Sequence, residues 1–301
     1  MDGPSGLADG PNAEFLYVTN SADGNVNQFA INSTSGALTA IASPVAAGSL
    51  PGWIAVTPNA QFAYVTNFGD GTISEYTVDT TTGELTANGT FASTLLATPT
   101  AAVASNTFLY VSDNTNGSIV SFPINTDGTL AAGLATVLTG VSPKPGPLIL
   151  DPTGAFVYAT DSANGSVYFL SVETLGLTLN QLYSSSPFGV AGLAITVTPS
   201  GVELLFVANQ MAPTPSISIF VVDTSGLLTF SKTFTDTSLN LPTGLVVDPM
   251  GTNLYVANQG SGTITHYTIN AVAGQQPSIT NPVVTKTESP TSKPLFLVLG
   301  E

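Results

Sequence analysis

The chain has 301 residues, four Lys, no Arg, one His, no Cys and a formal net charge of -15. So few cations argue against nucleic acid and anionic lipid as partners, because both need a basic face. The lack of Cys excludes disulfides and thiolate metal ligands. No apolar run approaches the roughly 18 residues of a membrane span, so no membrane insertion is expected. Charged residues are only 8%, which leaves solubility to Ser, Thr, Asn and Gly. That composition fits an extracellular or cell-surface protein.

Residues 1–13 read as a lead-in, and 14–301 as one domain built on a repeat. The pattern Phe15-Leu16-Tyr17-Val18-Thr19-Asn20 returns at 62–67, 108–113, 156–161, 204–209 and 253–258. Its aromatic falls at 17, 64, 110, 158, 206 and 255, in steps of 46 to 49 residues. A fixed period of this size marks a repeat architecture. Each repeat reads as four short strands. In the second they are residues 51–58, closed by Pro58; 62–67, rich in aromatic and β-branched residues; 72–78, after the tight turn Asp70-Gly71; and a strand opening at Glu84. Third strands follow at 26–31, 119–124, 167–172, 217–222 and 264–269, and fourth strands open at Leu38, Leu130, Leu177, Leu228 and near Ile279.

No segment has a helical period. The predicted fold is all-β, a β-propeller of four-stranded antiparallel blades. Six blades are counted. Residues 293–299 (Lys-Pro-Leu-Phe-Leu-Val-Leu) resemble a first strand with no second to fourth after it. This C-terminal strand is expected to close the ring as the innermost strand of the first blade, removing an exposed edge. Residues 4–11 compete for the place, but Leu7 is their only large apolar side chain.

Leu16 to Asn20 and Ala63 to Asn67 resemble the YVTN repeat of surface-layer and secreted propellers. The wider unit, residues 55–67, is similar to the lactonase-like propeller family, which includes 6-phosphogluconolactonases and carboxymuconate cyclases. The resemblance runs over residues 14–299. It implies a propeller, usually of seven blades, and in the enzymes a central cleft that works with His, Arg and Glu. The Arg would hold an anionic substrate through a bidentate fork, and this chain has none. Its one His, His266, matches Gln28, Glu75, Ser121, Phe169 and Ile219 of the other repeats, mid-way along a third strand.

Other candidates carry a plain structural reading. Asn20, Asn67, Asp113, Asp161, Asn209 and Asn258 close the second strands and are suited to bond turn backbone. Asp23, Asp70, Asn116 and Asn164 read as turn residues. Asp151 and Asp248 stand at equivalent ends of first strands, where a carboxylate pair is conceivable but a Pro-x-Gly turn accounts for both. Trp53, at the start of a first strand, is the candidate ligand-binding residue, because an aromatic there could stack on a sugar or anchor a partner. Asn32, Asn88, Asn116 and Asn164 match glycosylation acceptors. No metal site, cofactor or catalytic residue is expected. These features point to a non-enzymatic, monomeric, secreted or surface propeller that binds a protein or glycan. The alternative is a lactonase-like hydrolase or cyclase using the central cleft.

Overall fold

The repeated hexapeptide forms the second strand of every sheet in the computed structural model, which describes residues 3–10, 13–184, 189–210 and 214–286. Every described element is a strand. Blade 1 holds β1 (Pro4–Asp9), β2 (Phe15–Asn20), β3 (Asn25–Ile31) and β4 (Leu38–Ala40), with the two-residue β5 (Val45–Ala46) also on β3. Blade 2 is β6 (Pro51–Val56), β7 (Phe62–Asn67), β8 (Thr72–Val78) and β9 (Leu85–Ala92). Blade 3 is β10 (Pro99–Ala104), β11 (Phe108–Asp113), β12 (Ser118–Pro123) and β13 (Leu134–Val137). Blade 4 is β14 (Pro145–Leu150), β15 (Phe156–Asp161), β16 (Ser166–Glu173) and β17 (Gly176–Ser184). Blade 5 is β18 (Val190–Val197), β19 (Glu203–Asn209), β20 (Ser216–Val222) and β21 (Leu228–Phe234). Blade 6 is β22 (Pro242–Val247), β23 (Asn253–Asn258), β24 (Thr263–Asn270) and β25 (Ser278–Lys286). Strands pair in chain order within each blade, as the hairpin-length turns require. Six blades are thus built from the described residues. They fall into two compact units: Met1–Leu138 with Thr174–Leu177 carries blades 1 to 3, and the other carries blades 4 to 6 from Thr139 onward.

The innermost place of blade 1 belongs to β1, not to the C-terminal strand expected there. β1 lies inside the stretch expected as a lead-in. It pairs with β2 from Pro4 opposite Asn20 to Asp9 opposite Leu16. Polar and small residues seat it. Ser5 Oγ donates to the Pro51 carbonyl at 2.6 Å, and Thr19 Oγ1 donates to the Gly52 carbonyl at 2.7 Å. A Cβ on Gly6 would lie 2.3 Å from the Gly52 carbonyl oxygen, so only glycine allows this approach to blade 2. Apolar content, the criterion that favoured residues 293–299, was the wrong test for this strand. Those residues lie outside the described part of the chain.

One contact set joins neighbouring blades. Tyr17, Tyr64 and Tyr158 are fully buried. Their hydroxyls donate to the carbonyls of Gly83, Gly128 and Gly226 in the next blade, at 2.7, 2.8 and 2.7 Å. Burial pushes all three phenols above their ordinary range, so they remain donors. The three glycines have φ of 73°, 84° and 79°, a conformation that L side chains avoid. A Cβ on them would lie 2.2 to 2.7 Å from the rings of Phe15, Phe62 and Phe156. Each turn is shaped beforehand by its own side chain; Asp79 Oδ1, for instance, accepts the backbone N–H groups of Thr81 and Thr82. A second bond runs alongside. Gln28 Oε1 accepts Leu85 N–H at 2.6 Å, and Glu75 Oε1 accepts Leu130 N–H at 2.8 Å. In blade 4 the matching position is Phe169, and the Tyr183 hydroxyl accepts Leu228 N–H instead.

Hydrophobic clusters fill the same junctions. Phe15, Tyr17 and Val26 of blade 1 pack with Ile54, Val65 and Leu85 of blade 2. Similar clusters join blades 2 and 3, 4 and 5, and 5 and 6. A lone four-stranded sheet cannot bury both faces, so stability is a sum of nearest-neighbour terms.

Two outcomes follow. Tyr64→Phe leaves the Gly128 carbonyl unpaired and should cost about 1–2 kcal/mol in denaturant unfolding. Burial raises the Glu75 carboxyl above its ordinary value of 4.5, so the folded state favours its neutral form. The stability tied to Glu75 is then complete below that ordinary value and lost as pH rises through the raised one. Glu75→Gln keeps the acceptor, as Gln28 does. It should melt higher than the parent at pH 7, with the gain shrinking as pH falls toward 4.5; a gain independent of pH would contradict this.

Candidate functional site

The six residues closing the second strands are all fully buried, and their bonding divides them by chemistry. The Asn members donate. Asn67 Nδ2 reaches Thr72 Oγ1 and Ser74 Oγ at 2.9 and 3.0 Å. Asn20 reaches Asn25 and Asn27, Asn209 reaches Ser216 and Ser218, and Asn258 reaches Thr265. Asn67 and Asn258 also use Oδ1 to accept Gly48 and Asn240 N–H, in the loop that leads into their own blade. The Asp members only accept. Asp113 takes N–H groups of Ala97, Thr98 and Asn116. Asp161 takes Lys144, Ala163 and Asn164 N–H, the Asn164 amide and the Tyr168 hydroxyl. The position seven residues on, where Asn67 finds Ser74 and Asn258 finds Thr265, is Val120 after Asp113 and the hydroxyl donor Tyr168 after Asp161. A buried carboxylate needs several donors, and these two sites supply them.

Asp151 and Asp248 are not brought together. They sit in blades 4 and 6, each closing its own turn. Asp151 accepts Thr153 N–H, the Thr153 hydroxyl and Phe156 N–H. Asp248 accepts Thr252 and Asn253 N–H and both of their side chains. Burial opposes ionisation of Asp248, but these bonds outweigh it and hold its carboxyl below the usual range. The charge that interacts with Asp151 belongs to Glu203, at the start of β19. Burial first, and then Asp151, push the Glu203 carboxyl up. No repeat pattern marks this pair, because the two residues stand in different repeats at non-equivalent positions.

His266 is half-buried on β24, stacked on Tyr255 at 4.9 Å. Its Nε2 lies 2.8 Å from Asn253 Oδ1, while Asn253 Nδ2 donates to Asp248 Oδ2 at 2.7 Å. The carboxylate fixes the amide orientation, and the amide in turn makes Nε2 the protonated nitrogen. Asn253 stands where blades 1 to 4 have Phe, so the chain Asp248–Asn253–His266 gives this sheet a polar face. Trp53 is partly buried against the cluster shared by blades 2 and 3. Asp70, read as a turn residue, accepts Ser49 and Thr72 N–H. Among the described residues no group of three or more His, Cys, Asp or Glu could hold a metal ion.

A cleft of about 360 Å³ lies in the second unit, between the loops before β20 and after β21, lined by Thr214, Pro215, Thr235, Asp236, Thr237 and Leu239. Its volume falls in the range of small-molecule sites. The lining joins three Thr and one Asp to Pro and Leu, and none of these six residues carries a positive charge. Asp236 uses Oδ1 to accept Ser238 N–H at 2.8 Å. No motif in the sequence marks these loops.

The model of the family described as "Lactonase, 7-bladed beta-propeller" matches residues 1–94 and 148–291, about four-fifths of the chain. The chain belongs to this family. The unmatched stretch contains blade 3, whose Phe108-Leu109-Tyr110 nevertheless keeps the repeat. No curated protein matches the chain in sequence. Among solved structures, a putative 6-phosphogluconolactonase from Bacteroides fragilis is similar at TM-score 0.81 and 20% identity, over 97% of this chain and 86% of that one. A putative 6-phosphogluconolactonase from Bacteroides uniformis gives 0.79 and 22%, over 94% and 86%. The periplasmic gluconolactonase PpgL of Pseudomonas aeruginosa gives 0.76 and 20%, over 93% and 85%. At these identities the structures share the fold.

Family membership corrects the expectation of a non-enzymatic protein- or glycan-binding module. That expectation rested on the missing Arg and the single His. Arg serves to hold an anionic substrate, and its absence bears on which substrate is held rather than on ester hydrolysis itself.

Asp161 offers a direct test of the donor and acceptor sorting. Asp161→Asn points an amide N–H₂ at Tyr168 or at backbone donors and should cost about 2 kcal/mol. Adding Tyr168→Phe should recover part of the loss, read by denaturant unfolding as a double-mutant cycle.

Proposed function

We propose that this lactonase-family protein hydrolyses an uncharged sugar-acid lactone, opening the ring ester to the hydroxy acid. Membership of the lactonase family carries the reading, and composition selects the substrate. With no Arg and a net charge of -15, a phosphorylated lactone would meet repulsion and no bidentate clamp. The Pseudomonas relative, a gluconolactonase by its title, illustrates the unphosphorylated class. That relative is periplasmic by its title, and a charge-poor composition that leans on Ser, Thr and Asn supports an extracytoplasmic setting here as well.

The Thr-lined cleft suits a polyol. In it Asp236 is the candidate general base. Its carboxylate takes a proton from water as the water oxygen adds to the lactone carbonyl. The ring C–O bond then breaks, and the departing alkoxide recovers the proton. Titrating acid release with glucono-δ-lactone and with its 6-phosphate tests the reading. Turnover above the spontaneous rate is expected for the neutral lactone, with the phosphate ester much the poorer substrate. No turnover of either would overturn the function, and preference for the phosphate ester would overturn the substrate class. Asp236→Asn keeps the bond from Ser238 and should lower kcat by about 100-fold or more. Full activity in that variant would remove the cleft from the mechanism and leave the lactonase activity standing.

A further inference from the structure

Four of the six residues that line the cleft, Thr235, Asp236, Thr237 and Leu239, come from the one loop that joins β21 to β22. A loop aims a carboxylate only as well as the groups behind it hold the loop. Here the group behind it is a single residue of β24. Tyr267 is fully buried. Its ring meets Phe234, where the loop begins, edge-on at 5.3 Å. Its hydroxyl lies 2.8 Å from Ser238 Oγ, inside the loop. Leu239, at the far end, packs in the same apolar cluster as Tyr267. Ser238 N–H donates to Asp236 Oδ1 at 2.8 Å, and Leu239 N–H donates to the Asp236 carbonyl at 3.1 Å. The carboxylate is thus tied to a serine, and the serine to a buried phenol. Burial pushes that phenol up to about 12, so it keeps its proton and the tie persists at neutral pH.

Two other blades make a related bond with a different partner. Tyr76 and Tyr168, on the third strands of blades 2 and 4, donate to the carbonyls of Ala46 and Thr139, both at 2.7 Å. Each carbonyl lies in the segment that leads into the tyrosine's own blade. Those partners are backbone atoms, so the bonds fix the path of the chain. In blade 6 the partner is a side chain, on a residue whose N–H holds a carboxylate in the cleft. We propose that Tyr267 and Ser238 are positioning residues of this cleft: on the reading of Asp236 as the general base, they hold it with Oδ1 engaged and Oδ2 left for the water that it deprotonates.

The test compares kcat and KM on glucono-δ-lactone for the parent, Tyr267→Phe, Ser238→Ala and, as a matched control, Tyr76→Phe. Tyr267→Phe keeps the ring on Phe234 and loses only the hydroxyl. It should lower kcat by about tenfold with KM within about twofold of the parent. Tyr76→Phe breaks a buried tyrosine bond elsewhere, so it should lower the melting temperature and leave both constants unchanged. Ser238→Ala should match Tyr267→Phe, and the double variant should be no slower than either, because all three break the same bond. An unchanged kcat in Tyr267→Phe beside an inactive Asp236→Asn would overturn the pair and leave the base standing. Equal losses of kcat in Tyr267→Phe and Tyr76→Phe would overturn it too, since the effect would then be one of stability. A fully active Asp236→Asn, or no turnover by the parent, would mean that the base reading itself has failed. Hydrogen exchange at the Ser238 amide then decides whether the pair holds the carboxylate. Exchange about tenfold faster in Tyr267→Phe than in the parent or Tyr76→Phe supports the tie, and equal exchange in all three overturns it.

Discussion

The bond from a buried tyrosine to a glycine carbonyl in the next blade is the constraint around which the chain is arranged. It demands an aromatic with a hydroxyl at a fixed place on each second strand. It demands a turn whose glycine has positive φ and no side chain. It also demands a shaping residue such as Asp79 or Asp223 to hold that turn. These requirements stand 64 to 68 residues apart in sequence and are met together at three junctions. Where the aromatic is Phe206 the hydroxyl is absent, and the junction relies on the apolar cluster of Phe206, Ile219, Leu254 and Ile279.

The part of the fold that was legible in sequence is the part this constraint writes. Tyr17, Tyr64 and Tyr158 recur at blade spacing or its multiples because each reaches a neighbour, and the period of the aromatic position points to four-stranded blades. The innermost strand of blade 1 was not legible, because Gly6 and Ser5 hold it by closeness and hydroxyl bonding, which hydrophobicity does not register. The Glu203–Asp151 interaction and the cleft around Asp236 were also hidden. The first joins a strand start to a strand-end turn of another blade and the second joins two loops, and a repeat analysis averages such differences away. The functional expectation failed for another reason: it let a missing substrate anchor stand for missing chemistry.

With few charges to spend, the chain relies on neutral hydrogen bonds in its interior, and it places its two fully buried strand-end carboxylates with care. Asp113 and Asp161 appear only where three or more donors converge. Where the third strand places an acceptor seven or nine residues on, as at Asn27, Ser74, Ser218 and Thr265, the residue is Asn. One position therefore takes two residue types by a rule that a neighbour seven or nine residues away determines.

Because the junctions between blades 1 and 2, 2 and 3, and 4 and 5 are read in the same direction, the boundary between such blades is also a place where a gene can be cut and rejoined. Unequal recombination that removes or duplicates one whole period brings a giving face against a receiving face that already knows its partner, and no new interface has to evolve. Blade number in such a lineage can change in single steps. The cost of each step lies in the smaller idiosyncrasies, such as Tyr183 standing in for Gln28, which tie a blade to its original neighbour.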